Sequence, residues 1–190
     1  TLHAAGRVPD PDRIHQTRRA LQTALARALE ARLPQLEASM RLPGPYTPDA
    51  VAAGRRSLRL AALSLLSRLD GGQAARAAFD AADNMTESFG ALGCLLDIGA
   101  GQDALAVFAA RWSADRLVMD KWFAVQVALA EPDRAVEVTE GLTARPDFDW
   151  KNPNRFRSVI GALTGNHAGF HHASAITCPC RTSMKLCRGA

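Results

Sequence analysis

The sequence predicts an all-α protein, an α-solenoid in which antiparallel helix pairs stack into a superhelix. Three observations predict it. Apolar residues recur at the three- and four-residue spacing of a helix face. No stretch alternates with the period of two that a strand requires. Helix-sized segments are joined by short turns, "DGG", "GAGQ" and "AEPD", so that helix pairs recur roughly every 30 residues, as in hairpins of the armadillo or HEAT kind. Similarity between repeats is weak, the prediction rests on segment lengths, and a globular helical bundle is the alternative.

Each element has its own signals. Asp10 or Asp12 is placed to cap a long first helix whose apolar stripe is Ile14, Leu21, Leu25, Leu29 and Leu33, with Pro34 kinking or ending it. "RLPGPYTPDA", Arg41 to Ala50, is a break rich in proline. Thr47 followed by Pro48 and Asp49 predicts an N-cap for the next helix. That helix carries Leu58, Leu60, Leu63, Leu65, Leu66 and Leu69 almost all round, the pattern of a helix buried between neighbours, and "DGG" ends it. Further helices are predicted over 73–82, 87–98, 102–112, 115–130, 133–144 and 153–164.

At 190 residues the chain is long enough to bury a core as one domain without disulfides. Its formal net charge of +4 is too small and too dispersed to indicate nucleic acid, and no apolar run approaches a membrane span. The opening "TLHAAGRVPDPD" has no methionine, as expected of a segment from within a longer protein. Cys94 lies in an apolar stretch and reads as a core residue. Cys178, Cys180 and Cys187 crowd the end, with His171 and His172 upstream, but Cys-Pro-Cys is not the spacing of a structural zinc knuckle, and no metal ligand is assigned. There is no His-Glu-x-x-His pair, nucleophile elbow or phosphate loop. "GALGCLLDIGAG" follows no strand, and acids such as Asp80 and Asp83 read as solvated surface charge. No catalytic residue is assigned.

The segment "NPNRFRSVIGAL" has the most specific local chemistry. Asn152 as N-cap and Pro153 at the first helical position start a helix. Phe156, Val159, Ile160 and Leu163 fall on one stripe, the predicted core face, flanked by Arg155 and Arg157. Two cations in a first turn oppose the helix dipole, at roughly 0.3–1 kcal/mol each. Either an anion meets them or they pair with Asp147 and Asp149 on the surface.

Four segments, "DPDRIHQTRRAL", "AADNMTESFGAL", "RWSADRLVMDKWFAVQ" and "NPNRFRSVIGAL", continued by "GFH" at Gly169 to His171, carry a resemblance over most of residues 8–172. The chain resembles the C-terminal helical domain of bacterial aminopeptidase N, the zinc-dependent alanyl aminopeptidase family. The resemblance implies an all-helical superhelix over residues 1–172, packed on a separate catalytic domain of the same polypeptide and closing its zinc site into a chamber for peptide substrate. Zinc would be held by that catalytic domain and not by this chain, which alone should hydrolyse nothing. Arg157 matches the chamber-facing arginine of the family's segment, Arg155 being the weaker candidate, and Arg157 is expected to attract a peptide carboxylate or acidic side chain. A cytoplasmic location is implied, with no nucleic-acid or membrane partner.

The match departs from the family after residue 172. "HHASAITCPCRTSMKLCRGA" is unlike the rest in composition, and a shifted reading frame near Ser174 would explain 173–190 as an atypical or disordered tail. It would also remove the capping end of the solenoid and expose apolar surface. The other functional class open to the sequence is a stand-alone helical-repeat scaffold that binds a protein on its concave face.

Overall fold

The computed structural model describes residues 4–6 and 8–172, and the expectations for the tail, including Cys178, Cys180 and Cys187, lie outside the described residues. Within them the structure is helical and holds no strand. It divides into two compact units, Arg19–Ala114, and Thr1–Arg18 together with Asp115–Ala190. No helix among the described residues is long and apolar enough to cross a membrane.

Helix α1 (Pro11–Leu29) starts at Asp10, whose Oδ1 accepts the Arg13 N–H at 3.1 Å. It ends four residues before Leu33, so the expected stripe is interrupted. Leu33 is buried in the next helix, Leu29 is partly covered, and Ile14, Leu21 and Leu25 are exposed, whereas the small Ala26 is buried. Pro34 does not end α1. It lies in the first turn of α2 (Leu33–Ser39), where its missing N–H costs nothing.

The cap of α3 (Ala50–Asp70) also moves. Asp49, and not Thr47, accepts the Ala52 N–H, at 2.9 Å, while the Thr47 hydroxyl donates to the Asp49 carboxylate at 2.7 Å. Leu63 and Leu66 of α3 are buried, but Leu58 is exposed, so the helix is covered on part of its circumference only. The "DGG" turn forms as expected: Gly71, at φ 65°, takes the left-handed conformation that favours glycine, and the Asp70 carboxylate accepts the N–H groups of Gly72 and Ala74. Helices α4 (Gln73–Ala81), α5 (Met85–Asp97) and α6 (Gln102–Trp112) follow.

Packing in Arg19–Ala114 is between sequence neighbours: α3 lies on α2, α4 and α5, and α5 on α4 and α6. Leu33, Ala62 and Leu66 form one cluster beneath Leu29, Leu36, Leu65 and Leu69. Cys94 is buried as expected, and burial pushes its thiol up to about 11, so it acts as a packing residue.

One charged group lies inside this apolar frame. Glu37 of α2 is 4% exposed, and its carboxylate accepts from Arg41 Nη2 at 2.8 Å and from Arg59 Nε of α3 at 2.8 Å. Arg59 Nη1 in turn donates to Glu87 of α5 at 2.9 Å, so one guanidinium joins three helices. Burial acts to raise the Glu37 pKa, but the hydrogen bonds from Arg41 and Arg59 outweigh it and hold the carboxyl below its ordinary value.

In the other unit, α7 (Arg116–Ala128) is capped by Asp115, whose carboxylate accepts from Leu117 and Val118 N–H. It packs on α8 (Ala135–Thr143), and Val127, Ala135 and Phe123 are fully buried. Helix α9 (Pro153–Phe156), a π-helical turn (Arg157–Gly161) and α10 (Ala162–Gly165) make one continuous rod on α7 and α8. Helix α11 (His167–His171) lies on α8 so closely that a Cβ at Gly169 would meet the Ala135 Cβ at 2.4 Å.

Because the folded-state pKa of Glu37 is depressed, its stabilisation is present above the unfolded carboxyl pKa, about 4.3, and is lost as pH falls through the folded value. Glu37→Gln is expected to cost roughly 1–3 kcal/mol at neutral pH and to flatten the acid limb of stability against pH. Urea melts of the chain and the variant at pH 3–7 measure both, and an unchanged acid limb would show that Glu37 does not carry it.

Candidate functional site

The candidate site is built on the 145–161 segment. After α8 the chain turns back through Asp147 and Asp149, and Asn152 starts α9 as the sequence predicts. Its Oδ1 accepts the backbone N–H of Asn154 at 3.0 Å and of Arg155 at 3.4 Å, with Pro153 in the first turn.

The π-turn then changes which face is buried. A π-turn holds about one residue more than an α-turn, so it rotates the residues before it by about 100° relative to those after it. Val159, Ile160 and Leu163 remain buried as predicted, but Phe156 is 37% exposed, against the expected core stripe. Arg155 takes the inward position in its place and is 8% exposed.

Arg155 is fully engaged there. Its Nε donates to Asp120 Oδ1 of α7 at 2.6 Å, its Nη1 donates to the Asp147 carbonyl oxygen at 3.2 Å, and its guanidinium lies 4.2 Å from the centre of the Phe123 ring. The surface pairing expected with Asp147 or Asp149 is made by another residue: Arg145 Nε and Nη2 donate to the two Asp147 oxygens at 2.8 and 2.9 Å. That bidentate pairing with Arg145 holds the Asp147 carboxyl below the ordinary carboxylate range.

Arg157 is different. It is exposed at the start of the π-turn, and its side chain makes no hydrogen bond or ion pair among the described residues. Beside its segment a chain of rings runs outward, Phe123 to Phe148 at 5.9 Å, Phe148 to Trp150 at 4.9 Å and Trp150 to Phe156 at 6.2 Å between centroids. Trp150 is 55% exposed. A free guanidinium near an exposed aromatic pair can hold an anion and an apolar group; it cannot by itself break a bond. No group of three or more His, Cys, Asp or Glu among the described residues is placed to hold a metal ion.

Sequence reasoning missed Asp120, Phe123 and Trp150. Asp120 had a signal: it is a lone acid inside the apolar run "LVMDKWF", where a buried carboxylate needs a cation. The π-turn had none.

Residues 1–177 match the family described as "Domain of unknown function (DUF3458_C) ARM repeats". The chain is 38% identical to aminopeptidase N of Caulobacter vibrioides over 177 residues, 87% of this chain and 20% of that protein. It is 32% identical to aminopeptidase N of Escherichia coli, over 85% of this chain and 19% of that protein. Among solved structures it is similar to Legionella pneumophila aminopeptidase A, crystallised in complex with aspartic acid. The TM-score is 0.77 at 28% identity, covering 89% of this chain and 21% of that one. The chain spans about a fifth of the length of these relatives. Together with the helical structure, the match supports the ARM-type repeat architecture predicted from segment lengths.

Asp120→Ala leaves the Arg155 guanidinium buried without its counter-charge and is expected to cost about 3 kcal/mol. Adding Arg155→Met, which keeps the volume and removes the charge, should recover a substantial part of that loss. Denaturant melts of the single and double variants measure it, and simple additivity of the two losses would contradict the pairing.

Proposed function

We propose a function on the premise that this chain belongs to the ARM-repeat family of the domain of unknown function DUF3458_C. Residues 1–172 are the helical, non-catalytic C-terminal part of a zinc metalloaminopeptidase that removes N-terminal amino acids from peptides in the cytoplasm. Its partner is the catalytic domain of the same polypeptide, which holds the zinc and the hydrolytic residues. The chain shapes access of peptide to that site and by itself hydrolyses nothing. Similarity to proteins named aminopeptidase N along 87% of the chain supports this reading.

The observation that carries the role in access is Arg157, exposed and without an ion-pair partner among the described residues, one residue from the exposed Phe156. In this reading its guanidinium meets the carboxylate or acidic side chain of a peptide, and the Trp150–Phe156 edge contacts an apolar residue beside it. Arg155 is a positioning residue, since its guanidinium is committed to Asp120.

Arg157→Ala, made in the whole enzyme, is expected to lower kcat/KM for tri- and tetrapeptides about tenfold, the loss of one charge-assisted contact. Hydrolysis of single-residue amides, which have no carboxylate to reach it, should stay unchanged. Equal losses on peptides and amides would refute the carboxylate role.

A further inference from the structure

A cavity of about 400 Å³ opens in the Arg19–Ala114 unit between the proline-rich loop before α3, the C-terminal end of α4 and the first turn of α5. Its size is that of a small-molecule site. Pro43 and Pro45 have fixed φ and restrain the loop on either side of Gly44, which is at φ 85°.

The cavity is lined by a cationic side chain for which no described residue supplies a carboxylate. Arg56 and Arg155 are buried, at 5% and 8% exposure, as is the Arg68 side chain, which is paired with Asp97. Arg155 has Asp120. Arg56 has no carboxylate in ion-pair reach among the described residues: its Nη2 donates to the Thr47 carbonyl oxygen at 2.7 Å, and its guanidinium lies 4.4 Å over the Tyr46 ring. Taking a cation out of water without a counter-ion is costly. Of the neighbouring carboxylates, Glu37 and Glu87 are already bonded to Arg59, and Asp83 lies outside ion-pair reach of Arg56.

We propose that this cavity binds a small monocarboxylate with an apolar body, its carboxylate held by Arg56. The guanidinium fork matches a carboxylate, and the positive end of the α5 dipole lies at the same cavity. Ala78, Ala81 and Ala82 also line the cavity and offer apolar surface to a hydrocarbon group. Asp83, which also lines the cavity, can accept from an ammonium group, whereas Glu87 is already paired with Arg59. The shared chemistry therefore covers two sources, a branched-chain fatty acid and a free apolar amino acid. This site is separate from Arg157, and its test needs no peptidase activity.

The full 190-residue chain is titrated with 4-methylpentanoate, L-leucine, L-leucinamide and inorganic phosphate. Calorimetry reads affinity, and the side-chain Nε–H resonance of Arg56 reports occupancy in the unaltered protein. Both carboxylates should bind and move that resonance. Arg56→Met and Ala81→Phe, the second filling the cavity from an exposed position while keeping Arg56, should each weaken binding about tenfold or more. Leucine binding more tightly than 4-methylpentanoate would assign the free amino acid, with its ammonium on Asp83, and the reverse order would assign the fatty acid. The proposal is overturned if leucinamide or phosphate binds as tightly as the carboxylates, if Arg56→Met binds like the unaltered chain, or if neither carboxylate binds below about 10 mM.

Discussion

The buried pair of Arg155 and Asp120 is the constraint on which the Arg157 region depends. A guanidinium brought inside costs several kcal/mol in lost hydration, and only close, well-directed hydrogen bonds offset it. The 2.6 Å bond to Asp120, the Asp147 carbonyl and the Phe123 ring together supply that compensation. Their geometry requires residue 155 to point inward, whereas an uninterrupted α-helix carrying Val159, Ile160 and Leu163 inward would bury Phe156 instead. The π-turn resolves the conflict by taking up one residue. Its consequence is that, with Arg155 turned in, Phe156 and Arg157 are left toward solvent. Two arginines two positions apart thus acquire opposite environments, one buried and holding the segment and one exposed.

The Arg19–Ala114 unit is tied in a comparable way. Its helices are rich in alanine, and alanine faces give close approach but little area and few shape constraints. Register between such helices has to come from elsewhere. Glu37, Arg59 and Glu87 supply it by joining α2, α3 and α5 through directional bonds. Arg68, hydrogen-bonded to Asp97 and Gln22, does the same along α3. A buried ion pair adds little net stability compared with a well-packed apolar pair, but it penalises misregister heavily, since a slipped helix would leave a charge unpaired.

Much of this was legible in the sequence. The 102–112 helix has the bounds its spacing predicts, and Asn152, Pro153, Asp115 and "DGG" act as local capping chemistry requires. Local signals failed where two adjacent residues could serve the same purpose. Asp49 displaced Thr47 as cap because a carboxylate accepts more strongly than a hydroxyl. Pro34 is compatible with ending one helix or starting another, and only the three-residue break before it decides. The face of α9 was misread because one π-turn shifts a periodic pattern without leaving a mark on it. The partner of Arg155 lies 35 residues away, a pairing that spacing along one helix does not encode.

Arg56 shows where such reading ends and where physical reasoning about the folded chain begins. In sequence it is one of two adjacent arginines at the start of an apolar helix, indistinguishable from surface charge. In the fold its neighbour Arg55 reaches the carbonyl oxygens of Ser39 and Arg41, closing the loop, while Arg56 turns to the cavity that this loop encloses. The same unit pairs the part-buried Arg59 with Glu37 and Glu87, so carboxylates are within its repertoire for neutralising a guanidinium taken from water. A buried cation that the described residues leave with one carbonyl and one ring, beside space for a small molecule, is therefore a position that a ligand carboxylate suits. Arg157 poses the same question at the surface, where water can answer it at little cost; inside, at Arg56, water answers it less well, and that difference gives the cavity its preference for a carboxylate.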